Sequence, residues 1–258
     1  MKKVRRIQWV RNIVQLISLL IFPALFSQAF SACKEALAAI GSGEPLAWTA
    51  FSVRLVLLCV LTMAVGRLFC GWLCAFGAVG DWIYQLSQFI QKKTKKKLPA
   101  IPDKAVRILQ KIKYVVLVLV LLLCFAGGSG LVTQYSPWTV FSMMTAGNFH
   151  IGAYAAGLVL LLLIVVGMAW QERFFCQFLC PMGAVFSLLP EFPVTSLKRN
   201  CENCIPNCQA CRRQCPVRIK IGESSLQAGE CIRCGKCVSI CPKNNISLIK
   251  GKKKQEKL

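Results

Sequence analysis

Four mostly apolar runs, at about 11–30, 49–69, 112–130 and 151–170, dominate the pattern of this chain. Each meets the ~20 residues that a helix needs to cross a bilayer. In lipid such runs must be helices, because no water is present to satisfy open backbone groups. The charges between them predict sidedness. Lys and Arg crowd the N-terminus (MKKVRR), the connection 86–113 (with KKTKKK at 92–97) and everything after 197. The segment 31–48 holds only Lys34, and 131–150 holds no Lys or Arg. That alternation predicts a multi-pass protein of the cell membrane, with four spans and both termini in the cytoplasm. "FSQAFSA" ahead of Cys33 has the form of a signal-peptide cleavage site. Cleavage there would leave three spans and strand the N-terminus outside, so the first span is read as retained. A net charge of +22 with 55% hydrophobic residues is unlike a soluble domain. The basic runs read as topology signals and anchors at an anionic lipid bilayer, with docking of an acidic electron carrier as the alternative. Nucleic acid is not a predicted partner, because the charge follows the membrane sides rather than one face of a fold.

"RLFCGWLCAFGAV" at 67–79 recurs in register as "RFFCQFLCPMGAV" at 173–185, 106 residues later. "WTAFS" at 48–52 likewise recurs as "WTVFS" at 138–142, but 90 residues later, so the second copy carries 16 more residues between the two motifs. This predicts two parallel repeats, spans one–two and three–four, about a pseudo-two-fold axis. The segment 137–149 becomes a short outer-surface or re-entrant piece. Cys70 and Cys74, and equally Cys176 and Cys180, are spaced i and i+4, which on a helix is one face, about one turn apart. Pro181 interrupts the second helix just after its pair, where the first copy has Ala75. Arg67 and Arg173, three residues ahead of their pairs, favour thiolate over thiol. Free cysteine also packs as a small apolar residue, which is the reading for Cys33, Cys59 and Cys124. The four recurring cysteines can instead hold an additional iron–sulfur centre, or act as a redox-active dithiol–disulfide relay.

From about 197 the chain turns polar, basic and cysteine-rich. "CIRCGKCVSICP" at 231–242 is the complete bacterial iron–sulfur run, Cys231, Cys234, Cys237 and Cys241 followed by Pro242. In such a run three cysteines on a tight loop reach one cubane, and the fourth ligates its neighbour. Gly235 lets the loop wrap closely. "CENCIPNCQACRRQCP" at 201–216 is an irregular partner. Cys208, Cys211, Cys215 and Pro216 fit, but Ile205 stands where the first cysteine belongs. An extra residue near Pro206 lets Cys204 serve and leaves Cys201 spare. One [4Fe–4S] cluster is therefore assigned to Cys204, Cys208, Cys211 and Cys241, and a second to Cys231, Cys234, Cys237 and Cys215. A zinc-binding tail also uses such pairs, but two runs each ending in Cys-Pro point to iron–sulfur chemistry. Haem is not expected, because His150 is the one histidine and no C-x-x-C-H occurs. The predicted fold is an α-helical membrane protein: a four-helix transmembrane bundle of two parallel repeats over 1–196, a C-terminal ferredoxin-like α+β domain over 197–250, and a basic tail, 251–258.

With "GRLFCGWLC", "ERFFCQFLCP" and "GECIRCGKC", the chain resembles the NapH/NosR-like membrane polyferredoxins, the quinol dehydrogenase-type family, over nearly its whole length. The resemblance implies an electron-transfer subunit working between the quinone pool, or a cytoplasmic carrier, and a partner redox protein. Two departures stand out, Ala75 in place of a proline and the irregular loop at Cys204. A flavin- or haem-carrying partner subunit is expected. Tyr135, Trp138 and His150 read as an aromatic interfacial belt or as the lining of a quinone pocket with His150 handling the proton. Arg54, a charge inside the second span, is expected to face a cavity, a partner or the interface. No catalytic acid or base is predicted. The alternatives are a copper-handling or oxidase-assembly factor and a membrane redox sensor.

Overall fold

The computed structural model describes residues 2–21, 30–31, 33–35, 39–41, 50–65, 67–96, 98–99, 101–149, 152–189, 195–199, 204–219 and 229–250. Helix α1, Lys2–Ile21, shows the principle of the fold. Arg11, Gln15 and Ser18 recur at helical spacing and are buried, whereas Trp9 and Leu20 are 69% and 73% exposed. Its apolar face points outward and its polar face inward. The same holds for α2 (Ala50–Val65), where Val53, Val56, Leu57 and Val60 are exposed. In water such contiguous apolar surface is a liability; lipid is its natural solvent.

Helix α2 gives way to a short α3, Leu68–Trp72. Helix α4, Ala75–Thr94, then starts afresh, with Lys92 and Lys93 in its last turn answering the negative end of the helix dipole. Helix α5, Asp103–Phe125, is the one described helix long and apolar enough to cross a membrane. It begins nine residues before the expected span and ends before residue 130. The expected first span continues into residues 22–29, outside the described ones. The other two predicted spans correspond to α2 and α8, each 16 residues long. At ~1.5 Å per residue these reach about 24 Å.

Two short helices, α6 (Ser129–Tyr135) and α7 (Pro137–Thr145), connect α5 to a 3-10 turn at Gly152–Tyr154. Ser136 caps α7 by accepting from the Thr139 N–H, and Pro137 sits at its first position, where its missing N–H costs nothing. Trp138 and Val140 of α7 are buried. Helix α8, Ala155–Trp170, is followed by α9 (Phe174–Phe178) and α10 (Pro181–Leu188).

The C-terminal part has two short helices, α11 (Ala210–Arg213) and α12 (Lys236–Ile240), and two strands. Strands β1, Thr195–Arg199, and β2, Ile246–Lys250, pair antiparallel with Thr195 opposite Lys250 and Arg199 opposite Ile246. This part packs directly on the helices. Val217, Ile232 and Cys234 belong to the same buried core as Phe69, Phe76 and Phe175.

Candidate iron–sulfur sites

The structure gathers the cysteines into three cavities. The first is lined by Cys204, Cys208, Cys211 and Cys241, with about 340 Å³ of space between its atoms. The second is lined by Cys215, Cys231, Cys234 and Cys237 and holds about 360 Å³. The last cysteine of each run thus crosses to the other run's cavity. The irregular loop resolves locally. Asn207 takes a left-handed conformation (φ 58°) and the Cys208 N–H donates to the Ile205 carbonyl at 3.2 Å. That turn absorbs the extra residue and brings Cys204 to the wall. Cys201 lies outside the described residues.

Both runs leave their cavities by one device. After each Cys-Pro pair a non-glycine residue takes positive φ, Arg218 at 49° and Asn244 at 54°. Its N–H returns to the carbonyl of Cys215 (3.1 Å) or of Cys241 (3.3 Å). Gly235, at φ 72°, starts α12 in the same region, which glycine enters without strain. Burial pushes the Cys215 and Cys237 thiols up to about 12. A thiol so placed is protonated at neutral pH, and a metal ligand must give up that proton.

The third cavity, about 270 Å³, is lined by Cys70, Cys74, Cys176 and Cys180 with Arg67, Phe76, Trp138, Phe175 and Gly183. Here the expectation of one helical face per pair is corrected. The helix stops between the two cysteines in both copies, because the second thiol acts as an N-cap, a task for an acceptor side chain. The Gly77 N–H donates to Cys74 Sγ at 3.4 Å and the Gly183 N–H to Cys180 Sγ at 3.1 Å. The two caps have almost the same backbone, φ/ψ −68°/111° and −74°/109°. Ala75 in place of proline therefore leaves the halves alike at this point. The four cysteines form no disulfide and are buried. At Cys176 the arginines favour the thiolate as expected, but burial outweighs them and pushes the thiol up.

The arginines cross between the copies. Arg173 donates to the Cys70 carbonyl at 2.5 Å and grips Asp81 with two bonds, at 2.7 and 2.6 Å. Arg11 also pairs with Asp81, and Gln15 donates to it at 3.1 Å. Arg67 pairs with Glu230 at 3.0 Å, and Lys113 holds the same carboxylate. The cross is tight: a Cβ on Gly77 would meet Arg173 Nη1 at 2.1 Å, and one on Gly183 would meet Arg67 Nη2 at 3.1 Å. Sequence reasoning singled out Arg67 and Arg173 but missed Asp81, Glu230, Arg11 and Lys113. One signal was present, since Asp81 is the lone carboxylate between Glu44 and Asp103.

The repeat motifs also seat the second cavity. Gly71 approaches so closely that a Cβ would lie 2.2 Å from the Ile232 carbonyl oxygen. Its counterpart in the second copy, Gln177, donates to the Pro216 carbonyl. Trp72 Nε1 donates to the Arg233 carbonyl at 3.1 Å. The second and third cavities are thus neighbours through direct backbone contacts.

Trp138 corrects a further expectation. It is 5% exposed and stacks edge-on with Phe175 at 5.0 Å, so it walls the third cavity instead of joining an interfacial belt with the exposed Tyr135. His150 and the Arg54 side chain lie outside the described residues. Cys33, Cys59 and Cys124 lie near one another, and Cys124 is buried as a packing residue. Among the described residues no group of three or more His, Cys, Asp and Glu side chains converges on a point suited to a single metal ion.

Cysteine-lined cavities of this spacing define an iron–sulfur protein of ferredoxin type, built onto apolar-faced helices. Known proteins agree. A family model described as "4Fe-4S binding domain" matches twice, at 46–97 and 154–200, and a second model of the same description matches 227–247. An uncharacterized protein of Methanocaldococcus jannaschii is 36% identical over 73% of this chain and 66% of its own length. A second from that organism is 35% identical over 78% of this chain and 80% of its own. The "Ferredoxin-type protein NapH" of Escherichia coli is 22% identical over 80% of this chain and 69% of its own. NosR, NirI, MauN and YccM are further relatives, and the chain spans only 23% of NosR and 28% of NirI. No solved structure matches the chain. The chain belongs to the NapH/NosR-like family of membrane ferredoxins, and its role is iron–sulfur electron transfer.

Proposed function

We propose that this chain is the electron-transfer subunit of a membrane oxidoreductase, working between the quinone pool or a cytoplasmic carrier and a flavin- or haem-carrying partner. Its four apolar runs cross the membrane as two repeats, and both termini and the ferredoxin part face the cytoplasm. Cys204, Cys208, Cys211 and Cys241 hold one [4Fe–4S] cluster, and Cys215, Cys231, Cys234 and Cys237 hold the other. The observation that carries this reading is the crosswise lining of two cavities by four cysteines each. Bound there, the clusters supply one-electron carriers.

The chain's own residues set their surroundings. Gln8 Nε2 donates to the Cys234 carbonyl at 3.3 Å, and Gln110 Nε2 to the Val217 carbonyl at 3.2 Å. These bonds fix the second loop on α1 and α5. Asn245 N–H donates to Cys241 Sγ at 3.4 Å. Electron transfer needs no side-chain acid or base.

The test is anaerobic purification of the chain in detergent, followed by iron and acid-labile sulfide analysis and EPR before and after adding dithionite or a quinol analogue. The reading expects at least about eight irons per chain, reducible signals, and partial reduction by the quinol. Iron-free, folded protein refutes it. A protein reduced by dithionite but never by quinol removes the quinone part alone.

A further inference from the structure

We propose that Cys70, Cys74, Cys176 and Cys180 ligate a third iron–sulfur cluster, held between the two repeats beneath the ferredoxin part. Three observations carry it. First, four buried, unbridged thiols, two from each repeat, line one cavity, just as four cysteines line each of the two ferredoxin cavities. A pair of packing cysteines repeated by ancestry would not require a shared void.

Second, the cavity wall contains an unmet donor. Arg67 is 1% exposed, lines the cavity, and its Nε has no hydrogen-bond partner. A buried charged group left short of a partner costs free energy. Thiolate or inorganic sulfide at this position supplies the acceptor.

Third, the cations at the cavity favour an anion in it. Arg67 lines it and Arg173 donates to the Cys70 carbonyl. Each shares its carboxylate with a second cation, Arg67 with Lys113 at Glu230 and Arg173 with Arg11 at Asp81. Four thiolates around an oxidised [4Fe–4S]²⁺ core carry a net negative charge, which such cations stabilise and which neutral thiols or disulfides do not offer. A single divalent ion with four thiolates has the same charge, but the described cysteines do not converge on one point.

The placement gives the centre a use within the two-cluster reading on which its role rests. Gly71 and Gln177, one residue past Cys70 and Cys176, touch Ile232 and Pro216, both of which line the second cavity. The third centre therefore lies next to the second, within reach of it through these contacts.

The deciding measurement is the iron, sulfide, zinc and copper content of the full chain purified anaerobically, with spin counts after complete reduction. The inference expects about twelve irons and three reducible centres per chain. In the double variant Cys74→Ser/Cys180→Ser it expects about eight irons, with the ferredoxin signals kept. Cys33→Ser and Cys124→Ser should leave the iron unchanged. Wild type holding about eight irons and two reducible centres overturns the third site without touching the two-cluster reading, whether or not the variant folds. One zinc or copper ion per chain beside eight irons overturns its identity as iron–sulfur. Loss of four irons in Cys231→Ser, with the third signal intact, shows that the two readings fail separately.

Discussion

Asp81→Asn is the sharpest single test of the buried polar seam. Asp81 is 2% exposed and accepts from Arg11, Gln15 and, with both oxygens, Arg173. Asparagine keeps the volume and removes the charge, leaving two guanidinium groups beside a neutral amide. Breaking a buried pair on one side costs about 3–5 kcal/mol. For a chain of this size that lowers a melting temperature by roughly 6–20 °C, at about 2–4 °C per kcal/mol. Asp103→Asn is the control, because its bridges to Arg212 and Arg218 are largely exposed and worth about 0–1 kcal/mol. The assay is thermal unfolding in detergent at one scan rate, with bound iron followed in parallel. Burial raises the Asp81 carboxyl, but Arg173 and Arg11 outweigh it and hold it below the usual carboxylate range. A depressed carboxyl contributes stability above its ordinary value of about 3.9, and that stability is lost as pH falls through the folded value. The gap between wild type and Asp81→Asn should thus be constant from neutral pH down to about 4 and close only below it. An Asp81→Asn protein that melts with Asp103→Asn would refute the reasoning.

Other outcomes are equally specific. Cys241→Ser should abolish the EPR signal of the cluster at Cys204, Cys208 and Cys211, although Cys241 belongs to the other run, and Cys215→Ser should abolish the opposite one. Gly71→Ala places a Cβ 2.2 Å from the Ile232 carbonyl, an overpacking worth about 1–3 kcal/mol. Iron transfer to a chelator should accelerate, and an unchanged rate would show that the Ile232 loop shifts freely. A reporter active only outside the cytoplasm should be active when inserted after Gly147 and silent after Lys96; the reverse would invert the proposed topology.

The sets of cysteines that line the first two cavities were legible because their spacing is local. Three cysteines on one loop can be read from the run 231–242, and the crossing of Cys215 and Cys241 follows from the pattern of the two runs. Cys204 was legible for the same reason, since a single added residue needs only a turn such as that at Asn207. The helix breaks were not. An i, i+4 pair in an apolar run fits a continuous helix, and only the capping bond from Gly77 or Gly183 to the second thiol ends it. Nor was the crossing of the arginines, which joins Arg173 to Gly77 and Arg67 to Gly183 over distances no local pattern spans. The short α7 was half legible: the sequence marked 137–149 as a separate short piece, but not that Trp138 would be buried against Phe175.

In a helix bundle whose apolar faces meet lipid, apolar burial offers little drive for one helix to choose another, since lipid tails are as apolar as leucine. Specific association must come from close packing and polar contacts, and here both concentrate at one level of the structure. Arg11 from α1, Asp81 from α4, Arg173 ahead of α9, Lys113 from α5 and Glu230 from the ferredoxin part meet around the cysteine motifs. Glu230 matters most in this arrangement. It sits immediately before Cys231, yet its partners Arg67 and Lys113 belong to the helices. Burial raises its carboxyl, but those two cations hold it below the usual range, so it is ionised whenever the part is docked. Docking the ferredoxin part therefore removes one of two uncompensated cations from the Arg67 side, and undocking exposes them as an unpaired pair. The ferredoxin part is thus joined electrostatically to the helices that carry Arg67 and Lys113, rather than being a tethered module. Glu230→Gln should loosen the docking while leaving the cysteine runs themselves unaltered. Limited proteolysis after residue 189 checks this: faster cleavage in Glu230→Gln than in wild type, with bound iron retained, is the expected result, and equal cleavage would mean that apolar packing at Val217 and Ile232 holds the two parts together on its own.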